Sequence, residues 1–121
     1  YEAALKDLGE ISLYANDPLI ANTAAYRLGR VHEIRNQGGD LRKAVTFYQQ
    51  IVELGDPDAE GMRSLMEKAI YHSCAVFTKL ENADGQKRMK EQYRKMYPGG
   101  QFMDEIRALP RVAESSATAA E

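Results

Sequence analysis

The sequence contains a single cysteine, Cys74, among its 121 residues. One thiol cannot form an intramolecular disulfide, and it also excludes the common zinc clusters that need several thiolates. No apolar run approaches the roughly 20 residues that a membrane-spanning helix requires. The formal net charge is only −2, which predicts no general attraction to nucleic acid or to an anionic membrane. We therefore expect neither a nucleic-acid partner nor direct membrane insertion.

Signals for β-strands are also missing, because no segment alternates apolar and polar residues for long enough. Apolar residues recur instead at spacings of three and four, as on the buried face of an amphipathic helix. Short breaks such as "NQGG" and "ENADG" separate these segments. The predicted fold class is all-α, with about six helices that form antiparallel pairs joined by short connections.

Proline, glycine and short acidic residues mark where these helices begin and end. Asp17-Pro18 is a cap followed by proline, which predicts the start of the second helix, and Asp56-Pro57 predicts the start of the fourth in the same way. Asp40 is expected to cap the third helix. Gly55 is expected to end that helix in the left-handed conformation. The fifth helix is predicted at about 84–97.

Self-comparison indicates a repeated helix pair. Positions of the middle pair recur with the same spacing 45 residues later, and three of them recur 40 residues earlier. The matching sets are Leu28, Gly29, His32, Ala44, Tyr48 and Ile51; Ser73, Cys74, Phe77, Met89, Tyr93 and Met96; and Ala4, Leu8 and Ile11. Such a period is typical of a helix–turn–helix solenoid, in which each unit supplies the wall for the next.

The middle unit contains "AYRLGRVHE" followed by "GDLRKAVTFYQQIVELGDPDA". It resembles the tetratricopeptide repeat in Ala25, the Leu28-Gly29 pair, Lys43-Ala44, the Phe47-Tyr48 position and the closing Pro57. The turn is about three residues longer than in that repeat, and the ending "GDPDA" resembles the related Sel-like repeat, which has a longer loop. The resemblance implies a right-handed α-solenoid of antiparallel helix pairs.

We expect one tetratricopeptide-like domain at 1–110 and a disordered tail at 111–121. The domain divides into a partial repeat, a full repeat, a degenerate repeat and a capping helix: 1–17, 18–56, 57–97 and 101–109. The chain begins at Tyr1 inside a helical pattern, so we expect it to be the C-terminal part of a longer chain. The end "KEQYRKMYPGGQFMDEIRAL" is similar to the last repeat and cap of bacterial cell-envelope tetratricopeptide proteins, which favours the cell envelope or periplasm over the cytoplasm.

Catalytic and metal-binding patterns are not found. His72 and Cys74 are two residues apart on one helix, so their side chains point about 200° apart and cannot form a nucleophile–base pair. His32 aligns with a packing position. The acidic residues that could bind a metal are scattered across a cap and a helix start: Glu33, Asp56, Asp58 and Glu60. We predict no enzyme activity and no cofactor.

The densest basic run is "GQKRMKEQYRK", residues 85–95, which could contact phosphate. Its charges fall on the helix face opposite Met89, Tyr93 and Met96. A solvated helix face is therefore favoured over a binding site, with phosphate contact as the alternative.

The resemblance implies a binding groove, because the first helix of each pair lines the concave face of such solenoids. Tyr26 and Tyr71 coincide in register one pair apart, with Arg30 and Lys68 beside them. Tyrosine and arginine are enriched at binding hot spots, although both tyrosines could instead fill the space between helices while Arg30 is solvated. The candidate groove residues are Thr23, Tyr26, Arg30, Glu33, Lys68, Tyr71 and Thr78.

The predicted function is a non-catalytic protein–protein interaction scaffold that binds a partner peptide or protein in this groove. One alternative is self-association into a homo-oligomer through the first helix, where Leu5, Leu8 and Ile11 lack a partner helix. A second alternative is an accessory domain of a larger, possibly enzymatic, protein.

Overall fold

A computed structural model describes residues 1–113 of the chain. These residues contain no strand and form six α-helices: Glu2–Tyr14 (α1), Pro18–Arg35 (α2), Asp40–Leu54 (α3), Met62–Lys79 (α4), Ala83–Met96 (α5) and Met103–Ala108 (α6). The predicted all-α class with six helices is confirmed. Residues 114–121 of the predicted tail lie outside the described residues.

The two cap-plus-proline signals have different outcomes. Asp17 accepts a hydrogen bond from the Leu19 N–H at 2.8 Å, and α2 begins at Pro18 as predicted. Asp56 also accepts a hydrogen bond from the N–H two residues ahead, but the chain then turns, and α4 begins only at Met62. Gly61, with a φ of +80°, separates the turn from the helix, so the predicted start of α4 at 56–57 is wrong.

The predicted caps of α3 are also wrong. Gly55 has an extended backbone rather than a left-handed one, and a Cβ there would lie 2.6 Å from the Ile51 carbonyl oxygen and 2.8 Å from the Met62 methyl group. Close packing is therefore what requires glycine at this position. Asp40 is the first residue of α3 and does not cap it, because its carboxylate accepts the N–H of the preceding Gln37 at 2.9 Å.

Helices that are consecutive in the chain pack against each other from α1 to α5, and α4 also contacts α2. One hydrophobic core extends from α2 to α6. Its fully buried members include Tyr48, Ile51, Ile70 and Tyr93. In contrast, α1 contributes no buried residue. The short α6 contacts both α4 and α5 and covers the end of the core.

A buried amide holds the chain after α6 against the helices. Gln86, which is 3% exposed, donates from Nε2 to the Pro110 carbonyl at 2.8 Å and accepts the Val112 N–H at 3.0 Å. Its Nε2 also donates to Thr78 Oγ1 at 2.7 Å. Residues 110–112, where the predicted domain ends and the predicted tail begins, are thereby attached to α4 and α5.

Replacing Gln86 with alanine should release this segment, because the mutation removes both hydrogen bonds to its backbone. We expect a loss of about 2 kcal/mol in the free energy of unfolding and at least about tenfold faster hydrogen exchange at the Val112 amide. Exchange would be followed by NMR, with Gln50→Ala on an exposed site as the control. Unchanged exchange at Val112 would contradict the assigned role of Gln86.

Candidate functional site

Glu33 occupies the centre of the face on which the predicted groove residues lie. Its side chain is only 7% exposed. Oε1 accepts hydrogen bonds from Arg30 Nη1 at 2.9 Å and from the Tyr48 hydroxyl at 2.8 Å. Oε2 accepts from Lys79 Nζ at 3.2 Å. This carboxylate therefore connects α2, α3 and α4.

His72 joins the same group from α4. Its Nδ1 lies 3.2 Å from Arg30 Nη1 and 3.5 Å from Glu33 Oε1. An arginine nitrogen can only donate and a carboxylate can only accept, so the proton on Nδ1 decides which of the two contacts is a hydrogen bond. We refer to Arg30, Glu33, Tyr48, His72 and Lys79 as the Glu33 cluster.

Aromatic rings surround His72 on the same face. Its ring centroid lies 5.6 Å from those of Tyr26 and Tyr48, and 5.0 Å from that of Tyr71. Tyr71 also stacks on Phe102, with centroids 4.7 Å apart and the two planes within 2°. Tyr26 and Tyr71, which were predicted to share a register, thus contact one histidine from two neighbouring helices.

The remaining predicted groove residues are placed differently. Thr78 donates from Oγ1 to the Cys74 carbonyl at 2.8 Å and accepts from Gln86, so its hydroxyl belongs to the network that holds the C-terminal segment. Thr23 on α2 and Lys68 on α4 are partly buried. The structure therefore brings Tyr26, Arg30, Glu33 and Tyr71 together around His72, but it does not bring Thr78 into that group.

The Glu33 cluster is ionic at neutral pH. Burial alone would raise the pKa of Glu33, but hydrogen bonds from His72 and Tyr48 and the charges of His72 and Arg30 outweigh it and lower the pKa to about 2. Burial and the neighbouring carboxylate both raise the pKa of Tyr48, so the phenol keeps the proton that it donates to Glu33. The network is therefore a fixed arrangement of one carboxylate and its donors.

From the sequence, His72 was considered only as a possible partner of Cys74 and was not placed among the groove residues. A spacing of four from Lys68, a predicted groove residue, places His72 on the same face of α4. Lys79 lies seven residues after His72, two helical turns further along that face. Helical spacing from the other groove positions is the signal that would have identified both residues.

A second buried carboxylate lies at the turn between α2 and α3. Asp40 is 2% exposed and accepts from Arg35 Nε at 2.7 Å, and it contacts His32 Nδ1 at 2.8 Å. Hydrogen bonds from Arg35, His32 and the Gln37 N–H hold the pKa of Asp40 well below its usual value. The His32 ring stacks on Phe47 at 5.8 Å. These contacts fix the turn and agree with the packing role predicted for His32.

Other chemistry on the described residues is limited. Cys74 is fully buried, and burial raises the pKa of its thiol to about 11. Among residues 1–113, no group of three or more histidine, cysteine or acidic side chains is arranged to hold a metal ion. None of the helices in that part of the chain is long and apolar enough to cross a membrane.

Cys74 should resist thiol-specific reagents in the folded protein, because it is inaccessible and protonated. We expect labelling at neutral pH to be at least about a hundredfold slower in the native state than in urea. Mass spectrometry over time gives both rates. In a Cys74→Ser background, a Leu54→Cys variant at an exposed position should label rapidly. Equal rates for native and unfolded Cys74 would contradict its burial.

The chain matches no protein-family model, no curated protein and no solved structure. Its function must therefore be inferred from its own geometry. The most organised polar and aromatic surface described above is the one shared by α2 and α4, where the Glu33 cluster meets Tyr26 and Tyr71.

Proposed function

We propose that the chain is a tetratricopeptide- or Sel-like α-solenoid that acts as a non-catalytic interaction scaffold. In this proposal, α2 and α4 present a preformed surface to an extended or helical segment of a partner protein. The single observation that carries the proposal is the convergence of rings and charges from both helices on His72.

Positions that match between the helix pairs α2–α3 and α4–α5 are equally buried, which supports the proposed repeat. Tyr48 and Tyr93, 45 residues apart in the sequence, are both fully buried. Gly29 and Cys74 are buried as well, and a Cβ at Gly29 would meet the Tyr48 ring. The pairs α2–α3 and α4–α5 have similar helix lengths, 18 and 15 residues against 18 and 14. The contact between α2 and α4 is the one that stacked pairs would make.

Preorganisation supports a binding role for this face. Arg30 and Lys79 keep 32% and 49% of their side chains exposed, whereas the carboxylate that holds them is 7% exposed. The buried Glu33 carboxylate therefore holds these two exposed cations in place before a partner binds. Because these side chains are ordered before binding, the scaffold loses little conformational entropy when a partner docks. Acidic side chains on the partner would complement the exposed cations.

Selection from a random displayed-peptide library against the full chain would test this proposal. Affinities of selected peptides would then be measured for the wild type, for Tyr26→Ala and for Lys79→Glu, after circular dichroism has shown intact helix content. We expect each variant to lose at least about tenfold in affinity. Lys43→Glu, at an exposed position on α3, should bind as the wild type does. Failure to select any peptide, or unchanged binding by both face variants, would overturn the proposal.

Self-association is a second candidate, because α1 exposes apolar side chains. Ile11, Leu13 and Tyr14 are 43%, 77% and 77% exposed, and no residue of α1 is buried. Ile11 and Tyr14 are three residues apart and share one face of the helix, which a second copy packed on α1 would cover. Sedimentation analysis tests the idea: a concentration-dependent dimer that Tyr14→Asp abolishes would support it, whereas a monomer at high concentration would exclude it.

A further inference from the structure

Five basic side chains from three segments line two neighbouring clefts at the C-terminal end of the fold. The first cleft has a volume of about 260 Å³ and lies between α5 and α6. The second, of about 210 Å³, lies between α5 and the segment that Gln86 holds. Lys90 and Arg94 line both clefts, Arg107 lines the first, and Lys87 and Arg111 line the second. We refer to these two cavities as the basic clefts.

The fold assembles the basic clefts from residues that are not adjacent in sequence. Lys87, Lys90 and Arg94 follow a spacing of three and four, so they share one face of α5. Arg107 is brought in by α6, whose start is fixed by a 2.8 Å hydrogen bond from the Phe102 N–H to the Tyr93 hydroxyl. Considered alone, α5 shows only a solvated basic face. The other two segments turn that face into the wall of two clefts.

None of the five basic side chains at the basic clefts forms a close ion pair with another described residue. Within residues 1–113, no carboxylate oxygen lies within 4.0 Å of a nitrogen of these five side chains. Of the acidic residues between positions 1 and 113, only Glu91 lines either cleft. The whole chain has 16 basic and 18 acidic residues, so the rest of the molecule has a clear excess of acid. Positive charge is therefore concentrated at this end, which favours an anionic ligand.

We propose that the basic clefts bind a phosphorylated segment of a partner protein, with the phosphate held by Lys90, Arg94 and Arg107. A phosphoryl group carries a charge of about −1.5 to −2 and three strong acceptor oxygens, and arginine binds it through two parallel hydrogen bonds. Met103 and Ile106, in the same cleft, provide apolar contact for the carbon atoms of the phosphorylated side chain.

Size and shape favour a peptide over a larger cofactor. Each cleft is smaller than the roughly 300 Å³ at which pockets for drug-sized ligands begin, so it suits one side chain. The two clefts adjoin at Lys90 and Arg94, and Lys87 to Arg94 spans about 10 Å along the helix. An extended peptide of about three residues covers that distance. A neighbouring acidic residue of the same segment would then reach Lys87 and Arg111.

Peptide libraries with a fixed central residue provide a direct test. One library carries phosphoserine at its centre, and a matched library carries serine. Retention of each on the immobilised full chain would be compared between the wild type and an Arg94→Glu/Arg107→Glu double variant. An Arg42→Glu/Lys43→Glu double variant changes the net charge equally on the exposed side of α3 and is the control. Circular dichroism would verify the helix content of all three proteins.

We expect the phosphoserine library to be retained at least about tenfold more than the serine library. This excess should disappear in Arg94→Glu/Arg107→Glu, persist in Arg42→Glu/Lys43→Glu, and fall when inorganic phosphate is added as a competitor. Equal retention of the two libraries would overturn the proposal, as would a phosphoserine excess that survives the Arg94→Glu/Arg107→Glu change. A single-stranded oligonucleotide and phosphatidylserine vesicles would be tested in the same way. If either bound more tightly than any phosphopeptide, and the same double variant lost this binding, the clefts would be reassigned to that ligand. Because the basic clefts do not include the α2–α4 face, neither result depends on the proposed groove.

Discussion

Replacing Glu33 with leucine is expected to lower the free energy of unfolding by about 3 kcal/mol. The substitution leaves the Tyr48 hydroxyl, in a fully buried residue, without its acceptor. It also leaves the Arg30 and Lys79 cations without the carboxylate that balances their charge. Arg30 and Lys79 are partly exposed and can turn towards water, so the loss should fall at the lower end of the range for a broken buried pair. Urea denaturation measures the change.

Two conservative variants separate the causes of this loss. Glu33→Gln keeps an acceptor for Tyr48 but removes the charge, whereas Tyr48→Phe keeps the charge but removes one donor. We expect each to cost about 1–2 kcal/mol, less than Glu33→Leu. If Glu33→Leu were as stable as the wild type, the Glu33 cluster would not stabilise the contact between α2 and α4, and the case for a preorganised face would fail with it.

Acid should weaken the same cluster. The folded pKa of Glu33 is about 2, below its usual value of 4.5, so the folded state binds the proton less tightly than the unfolded state does. The stability from this depressed pKa is fully present above about pH 4.5 and is lost as the pH falls towards 2, by about 3 kcal/mol in total. Glu33→Leu should therefore show a shallower loss over this range. Some loss should remain, because the pKa of Asp40 is also lowered.

The helices of this chain could be predicted from local signals because each depends on its own residues. Spacing of apolar side chains located all six, and Asp17 capped α2 as expected. The same local signal failed at Asp56, where a turn intervenes before Gly61. Asp40 failed for a different reason: its carboxylate is occupied by Arg35 and His32 from the preceding helix. A cap motif does not specify whether a tertiary partner will compete for the same oxygen atoms.

The candidate site was only partly predictable for a similar reason. Register along the predicted repeat assigned Tyr26 to α2 and Tyr71 to α4, and both contact His72. The carboxylate of Glu33 connects to Tyr48 on α3 across 15 residues and to Lys79 across 46, and no pairwise spacing within one helix encodes such contacts. The basic clefts likewise require Arg107 and Arg111 to be folded back onto α5. Helix faces follow from sequence, whereas contacts between elements depend on how the faces are docked.

Gly29→Ala should destabilise the protein by about 2 kcal/mol, even though alanine is the better helix former. A Cβ at Gly29 would lie 2.5 Å from Tyr48 Cε1 and 2.9 Å from two further atoms of that ring. Tyr48 is fully buried and its hydroxyl is bonded to Glu33, so the ring cannot move aside without losing that bond. Thermal or urea unfolding of the two proteins gives the difference.

Gly9→Ala is the matched control, because Gly9 also lies within a helix but a Cβ there would have no neighbour within 4 Å. This substitution should stabilise the protein by up to about 1 kcal/mol, so the two glycine variants are expected to differ in sign. The cost of Gly29→Ala should also shrink in a Tyr48→Leu background, where the ring is gone, which makes the two changes non-additive. An equal gain in stability from both glycine substitutions would mean that α2 and α3 do not approach as closely as Gly29 permits. The shared burial of Gly29 and Cys74 would then lose its weight as support for the repeat.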